Sequence, residues 1–234
     1  MNLFAWALAG FVLIHVGISA TGLRTRIVGM IGEWPYRGLF SLASGALLAA
    51  LIVGIGQMRA DPFDPLNAPL WAPPGWLRWA AYVLVLLGLS LAFTGLFTPG
   101  PTTAGFEKKG LQRAEPAYGV LRITRHPFLW GVTLWGAGHL LANGERFAVM
   151  LFGALALMAI FGARSIDRKG AARDPDGWEK FAAVTSNAPF VAIAQGRNKL
   201  ALNEIGWRGL AGLAVAVAIA LFHRQLFGVA AFST

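Results

Sequence analysis

The sequence predicts an all-α fold, a polytopic membrane helix bundle of about six transmembrane helices with both termini outside. Three observations predict it. First, 56% of the 234 residues are hydrophobic and only 13% are charged, with a mean hydropathy of +0.57. Soluble domains of this length carry about 25% charged residues. Second, the apolar residues fall in long runs separated by polar, Pro- or Gly-rich stretches. Third, the basic residues are unevenly shared between alternate loops. We read residues 1–234 as a single membrane domain.

A span needs about 20 mostly apolar residues, fewer where neighbours cover its ends. Six stretches qualify, at roughly 3–20, 38–57, 77–97, 127–143, 147–163 and 207–223. The first is expected to be a retained helix rather than a signal peptide. It has no positive leading region, and Arg24, Arg26 and Arg37 follow it. The stretch 57–76 holds five prolines, which deny it regular helix, and Trp71, Trp76 and Trp79 stand nearby as interface anchors. It is expected to form an outer Pro-rich cap. The stretch 164–206 is expected to be a cytoplasmic loop, with a short amphipathic helix around "DGWEKFAAV". Loops 1, 3 and 5, with Arg208, hold sixteen of the twenty Lys and Arg residues. The positive-inside rule makes those loops cytoplasmic, and the expected location is a bacterial inner membrane.

The same distribution bears on function. The net charge of +9 is topological in pattern and makes no nucleic-acid footprint. Cysteine is absent, which removes thiolate ligands, iron–sulfur clusters and cysteine nucleophiles. No phosphate-binding Gly-Lys-Ser/Thr run occurs, and Gly131, Gly136 and Gly138 fit close helix packing better than a nucleotide loop.

The chemistry-bearing residues are the histidines. His223 ends the last span beside Arg224 and reads as a solvated end residue. His15 lies about a turn and a half from the cytoplasmic end of the first span. His126 precedes Pro127, where the fourth span enters from the same side, and Pro is favoured at a first helical position. His139 is 13 residues further on, roughly 20 Å along a helix axis. One metal therefore cannot take both His126 and His139, and depth pairs His15 with His126. Imidazole serves Zn, Cu, Fe and Ni alike. Zinc usually takes three or four protein ligands, whereas haem needs one or two and brings its own apolar body. Haem propionates would favour Arg24, Arg125 or Arg122, and Gly17, Gly38, Gly45 and Gly131 would leave room for the macrocycle. A single intramembrane histidine can equally be a hydrogen-bonded structural residue, as His139 would be beside Asn143.

Two resemblances add to this. "YGVLRITRHPFLWGV" at 118–132 resembles the Arg-His-Pro signature of isoprenylcysteine carboxyl methyltransferase and phospholipid methyltransferase enzymes. In "SIDRKGAARDPDGWEKFAAVTSNAPF", Asp167-Arg168, Gly177, Trp178, Phe181 and Pro189 stand at similar spacing, without the tyrosines of that pattern. This resemblance implies an S-adenosylmethionine-dependent membrane methyltransferase as an alternative. The wider match is to the NnrU family, carried by "IHVGIS" with "GLR" at 14–24, "RITRHPFLWGVTLWGAGHLLANG" at 122–144 and "SIDRK" through "TSNAPF" at 165–190. That family is related to zeta-carotene isomerase and is named for an association with nitric oxide and denitrification. The resemblance implies haem b on His15 and His126, with Arg24 and Arg125 at the propionates and His139 tuning the pocket or replacing a ligand on reduction. It implies a haem-dependent isomerase or redox enzyme acting on a lipophilic, carotenoid-like molecule. A non-catalytic assembly factor for denitrification, docking through the basic fifth loop, is the remaining alternative.

Overall fold

The computed structural model describes residues 2–19 and 21–231. Every apolar run marked above is helical there, and no strand occurs among the described residues. Four helices are long and apolar enough to cross a membrane, and five if a bent pair near the N-terminus counts as one span. The chain forms two compact units, Met1–Ala72 with Asn143–Ala154, and Pro73–Ala142 with Leu155–Thr234.

The first unit starts with α1 (Leu3–Val12), N-capped by the Asn2 side chain. α1 runs directly into a π-helical stretch, Leu13–Ser19, which carries His15. α2 (Gly22–Ile31) follows at 80° to Leu3–Ser19, and α3 (Glu33–Ala60) comes after Gly32. The first expected loop, 21–37, is thus largely helical. Its apolar content is too low to mark a span, but its Leu, Arg, Met and Ile residues favour helix. α1 packs on α3 at Gly54, where an added Cβ would stand 2.6 Å from the Phe4 backbone nitrogen. Phe4, Ala7, Leu8, Leu51, Met58, Phe147 and Ala148 form the core there. The Pro-rich cap has only a 3₁₀ turn at Pro65–Asn67 and an isolated bridge from Pro69 to Glu145. Asn67 Nδ2 donates to the carbonyls of Met58 and Asp61, closing the end of α3.

In the second unit α4 (Gly75–Leu96) and α6 (Pro127–Ala142) make the closest helix pair, with α5 (Glu107–Leu111) and a 3₁₀ turn at Gly119–Arg122 between them. Gly88 and Gly138 bring the two backbones together. A Cβ on Gly88 would stand 2.5 Å from the Trp135 nitrogen, and one on Gly138 2.8 Å from the Ala81 carbonyl. Gly131 is equally tight against Ala92, so it provides a helix contact and not the room for a macrocycle that the sequence suggested. α6 has 16 residues, about 24 Å of helix, short of the ~30 Å hydrocarbon thickness.

α7 (Arg146–Arg173) outruns the apolar stretch by ten residues, because Ala, Arg and Lys continue the helix where hydrophobicity stops. Asp167 rides on that extension. α8 (Pro175–Val184) is the amphipathic helix expected in the fifth loop, capped by Asp174, with Trp178 and Phe181 buried. α9 (Val191–Ala194), α10 (Leu202–Leu221) and α11 (His223–Phe227) complete the chain. α10 lies on α4 where Gly212 meets Ser90 and Thr94. The outer residues of α3, among them Leu39, Leu42, Leu48 and Ile52, are exposed, as a lipid-facing surface requires.

Candidate functional site

The Arg-His-Pro segment has no helical partners for its polar groups until α6 begins. Thr124 therefore does local work: its hydroxyl accepts from the His126 N–H and donates to the Asn187 carbonyl. His126 closes the helix start, its carbonyl accepting from the Trp130 N–H, with Pro127 in the first turn. The segment is strapped to the 185–190 loop by Arg125 N–H to the Ser186 carbonyl, 2.9 Å, and Phe190 N–H to the Ile123 carbonyl, 2.8 Å. Phe190 adopts φ +65°, the one non-glycine residue with positive φ among those described. For a bulky side chain this conformation costs about 1–2 kcal/mol and is held by its surroundings.

Asp167 reaches this junction from α7. Its carboxylate accepts four hydrogen bonds: Arg125 Nε at 2.9 Å, Arg125 Nη2 at 2.7 Å, His126 Nε2 at 2.6 Å and Asn187 Nδ2 at 3.0 Å. That fills the acceptor capacity of a carboxylate. Trp130 Nε1 donates to Asn187 Oδ1, and the Arg125 guanidinium lies 5.9 Å from the Trp178 ring centre.

This geometry fixes the His126 tautomer. A carboxylate ion-paired with Arg125 has no proton to give, so Nε2 carries the hydrogen and the neutral ring keeps its lone pair on Nδ1. Nδ1 is buried and has no hydrogen-bond partner among the described residues. Burial pushes the His126 imidazole below its ordinary range, opposed by Asp167 and helped by the Arg125 charge. The ring is thus held neutral by burial and oriented by a carboxylate, as metal-ligating histidines are.

His15 belongs to the first unit and is prepared differently. Its Nδ1–H donates to the Phe11 carbonyl at 2.8 Å, leaving the Nε2 lone pair. The ring packs on Phe11 and Phe40, with centroids 4.2 and 5.0 Å away. It sits in the π-helical stretch, a backbone form concentrated at functional sites. His139 Nδ1 likewise donates to the Trp135 carbonyl at 2.9 Å inside α6. Arg24, expected at a propionate, pairs with Glu33 at 2.7 Å and lies over Tyr36. Arg125, expected in the same role, holds Asp167. The imidazole chemistry fits haem, since His15 and His126 each present one fixed N–H and one lone pair. The two arginines have carboxylate partners within the protein. No three His, Asp or Glu residues gather in a metal-holding cluster among the described residues.

Asn187 is the site residue that spacing alone did not single out. Its signal was the polar triplet Thr185-Ser186-Asn187 closing the amphipathic α8.

The family described as NnrU protein matches residues 3–231 of the chain. A protein named 15-cis-zeta-carotene isomerase, chloroplastic, from Zea mays is 32% identical over 196 residues, covering 81% of this chain and 50% of its own length. A protein of the same name from Arabidopsis thaliana is 30% identical over 192 residues, with the same coverages. The chain thus spans about half the length of the curated relatives it matches. No solved structure matches it.

Proposed function

The chain belongs to the NnrU family, and on that premise we propose that it is a membrane isomerase acting on a lipophilic, carotenoid-like polyene, with haem b as its cofactor. The observation that carries the haem assignment is His126, a neutral buried imidazole whose Nε2 is fixed by Asp167 and whose Nδ1 lone pair is unshared. The polyene assignment draws on the names of the two plant relatives.

In this reading His126 is a haem ligand and His15 the second candidate ligand. Haem, when bound, supplies a coordination site that can polarise a polyene double bond. The protein's own part is orientation. Asp167 holds the His126 ring, Arg125 and Asn187 hold Asp167, and the backbone carbonyl of Phe11 holds His15. Cis–trans isomerisation moves no atom between molecules. The protein therefore needs no stoichiometric acid or oxidant, only a dry apolar site for the chain. The exposed apolar surfaces of the spans give such a substrate access from the bilayer.

The test is to purify the protein from cells supplied with a haem precursor, reconstitute it in lipid nanodiscs and add 15-cis-zeta-carotene under reducing conditions. A Soret band together with accumulation of the 15-trans product supports the reading. Turnover should be lost in His126→Ala, along with most of the haem. A haem-loaded protein that leaves the polyene unchanged overturns the isomerase reading, and full haem content in the His15→Ala/His126→Ala double variant overturns the ligand assignment.

A further inference from the structure

A second polar site lies away from the His126–Asp167 junction, at the foot of α10. There Arg122, Arg197, Asn198, Lys199, Leu200 and Asn203 line an open cleft of about 470 Å³, within the ~300–1,000 Å³ range of small-ligand sites. Its back wall is rigid. Arg122 Nε and Nη2 both reach Glu204 at 2.8 Å, its Nη1 reaches Asn198 Oδ1 at 3.2 Å, and Nη2 also meets Glu115 at 3.1 Å. Glu204 further accepts from the Gly119 N–H, where φ is +56°. Asn198 ties the wall to α8 through the Val184 carbonyl.

The two remaining cations are not neutralised. Arg197 spends Nη1 on the carbonyls of Ala182, Ala183 and Thr185 at the end of α8, and Nε on Gln195. Neither Arg197 nor Lys199 has a carboxylate partner among the described residues. The charges facing the cleft are Arg122, Arg197 and Lys199, with Glu204 and Glu115 both spent on Arg122. An excess of one positive charge remains, and Arg197 and Lys199 are the two cations without a carboxylate partner among the described residues. α10 starts at the edge of the cleft and is kinked at Gly206 (φ +45°), and it carries Leu202 before the kink and Trp207 and Leu210 after it, which are 68%, 64% and 71% exposed. A cationic recess adjoining a lipid-facing apolar helix matches one kind of molecule, an anionic amphiphile.

We propose that this cleft binds the phosphate of an anionic phospholipid, with Lys199 and Arg197 receiving the headgroup and the acyl chains lying along α10. Arg122 is the scaffold of the site and stays on Glu204. The site does not depend on haem or polyene, so its test uses neither.

The protein is reconstituted in nanodiscs containing brominated phosphatidylglycerol or brominated phosphatidylcholine. The signal is Trp207 quenching, taken as the difference between the native chain and Trp207→Phe. Phosphatidylglycerol should quench at a mole fraction about fivefold lower for each uncompensated cation engaged. Lys199→Glu should remove most of that preference and Lys199→Arg should keep it. Lys199 is exposed, and equal thermal midpoints for these variants will show that folding is intact. Equal quenching by the two lipids, or a preference untouched by Lys199→Glu, overturns the proposal. Loss of the preference on adding millimolar inorganic phosphate assigns the cleft to free phosphate and overturns the lipid assignment.

Discussion

His126 and Asp167 depend on each other in a way neither residue does alone. Asp167→Asn keeps the side-chain shape but turns one acceptor oxygen into a donor facing Arg125, His126 or Asn187. With His126 ligating haem as proposed, haem affinity should fall about 10–100-fold, the usual cost of losing the partner that orients a ligating histidine. Haem titration followed at the Soret band measures this. Unchanged affinity would remove Asp167 from the orienting role. The same residue predicts a pH response. Burial holds His126 below the ordinary imidazole value of 6.5 in the folded protein. Between the two values the unfolded chain binds a proton that the folded chain does not, so this contribution to stability is present above about pH 6.5 and fades as pH falls. The thermal midpoint in detergent should drop from pH 7.5 to pH 5.5, and His126→Gln should flatten that part of the curve.

At the scale of elements, the second unit is organised by glycines. Gly88, Gly131 and Gly138 let α4 and α6 approach until backbone meets backbone. Membrane helices gain little from the hydrophobic effect on association, so close van der Waals contact does more of the holding. Gly131→Leu would force a side chain into Ala92. We expect a loss of about 1–3 kcal/mol, the usual cost of overpacking, read as reduced resistance to denaturing detergent. Gly153, with nothing near its Cβ position, is the matched control and should change little. α6 also sets the position of His126. A shift of α6 along α4 would move His126 away from Asp167, so Gly131→Leu should lower haem content as well as stability.

At the scale of the whole molecule, the distribution of Lys and Arg makes a topological prediction that helix lengths do not settle. The chain has no cysteine, so single cysteines can be introduced on a silent background. Phe63→Cys in the Pro-rich cap should react with an impermeant maleimide in intact cells. Thr103→Cys and Asp176→Cys should react only after permeabilisation. Labelling of all three from one side would overturn the positive-inside assignment and with it an odd number of spans between loops 2 and 5.

The sequence by itself determined the helical class, the apolar segments and the residues of interest. Each is written in local composition: runs of apolar residues, the Arg-His-Pro start of α6, the prolines at 62, 65, 69, 73 and 74, and the absence of cysteine. His15 and His126 were legible because a histidine in an apolar run is costly and so stands out. Tertiary structure decided the partners. Asp167 reaches His126 across 41 positions of chain, and Asn187 reaches Asp167 across 20. Hydrogen bonds of that reach depend on how α7 and the 185–190 loop return to α6, and side-chain type does not encode the return path. The same holds for Arg24 and Arg125: composition marked them as cations near the inner ends of the spans, and the fold supplies their carboxylate partners, Glu33 and Asp167.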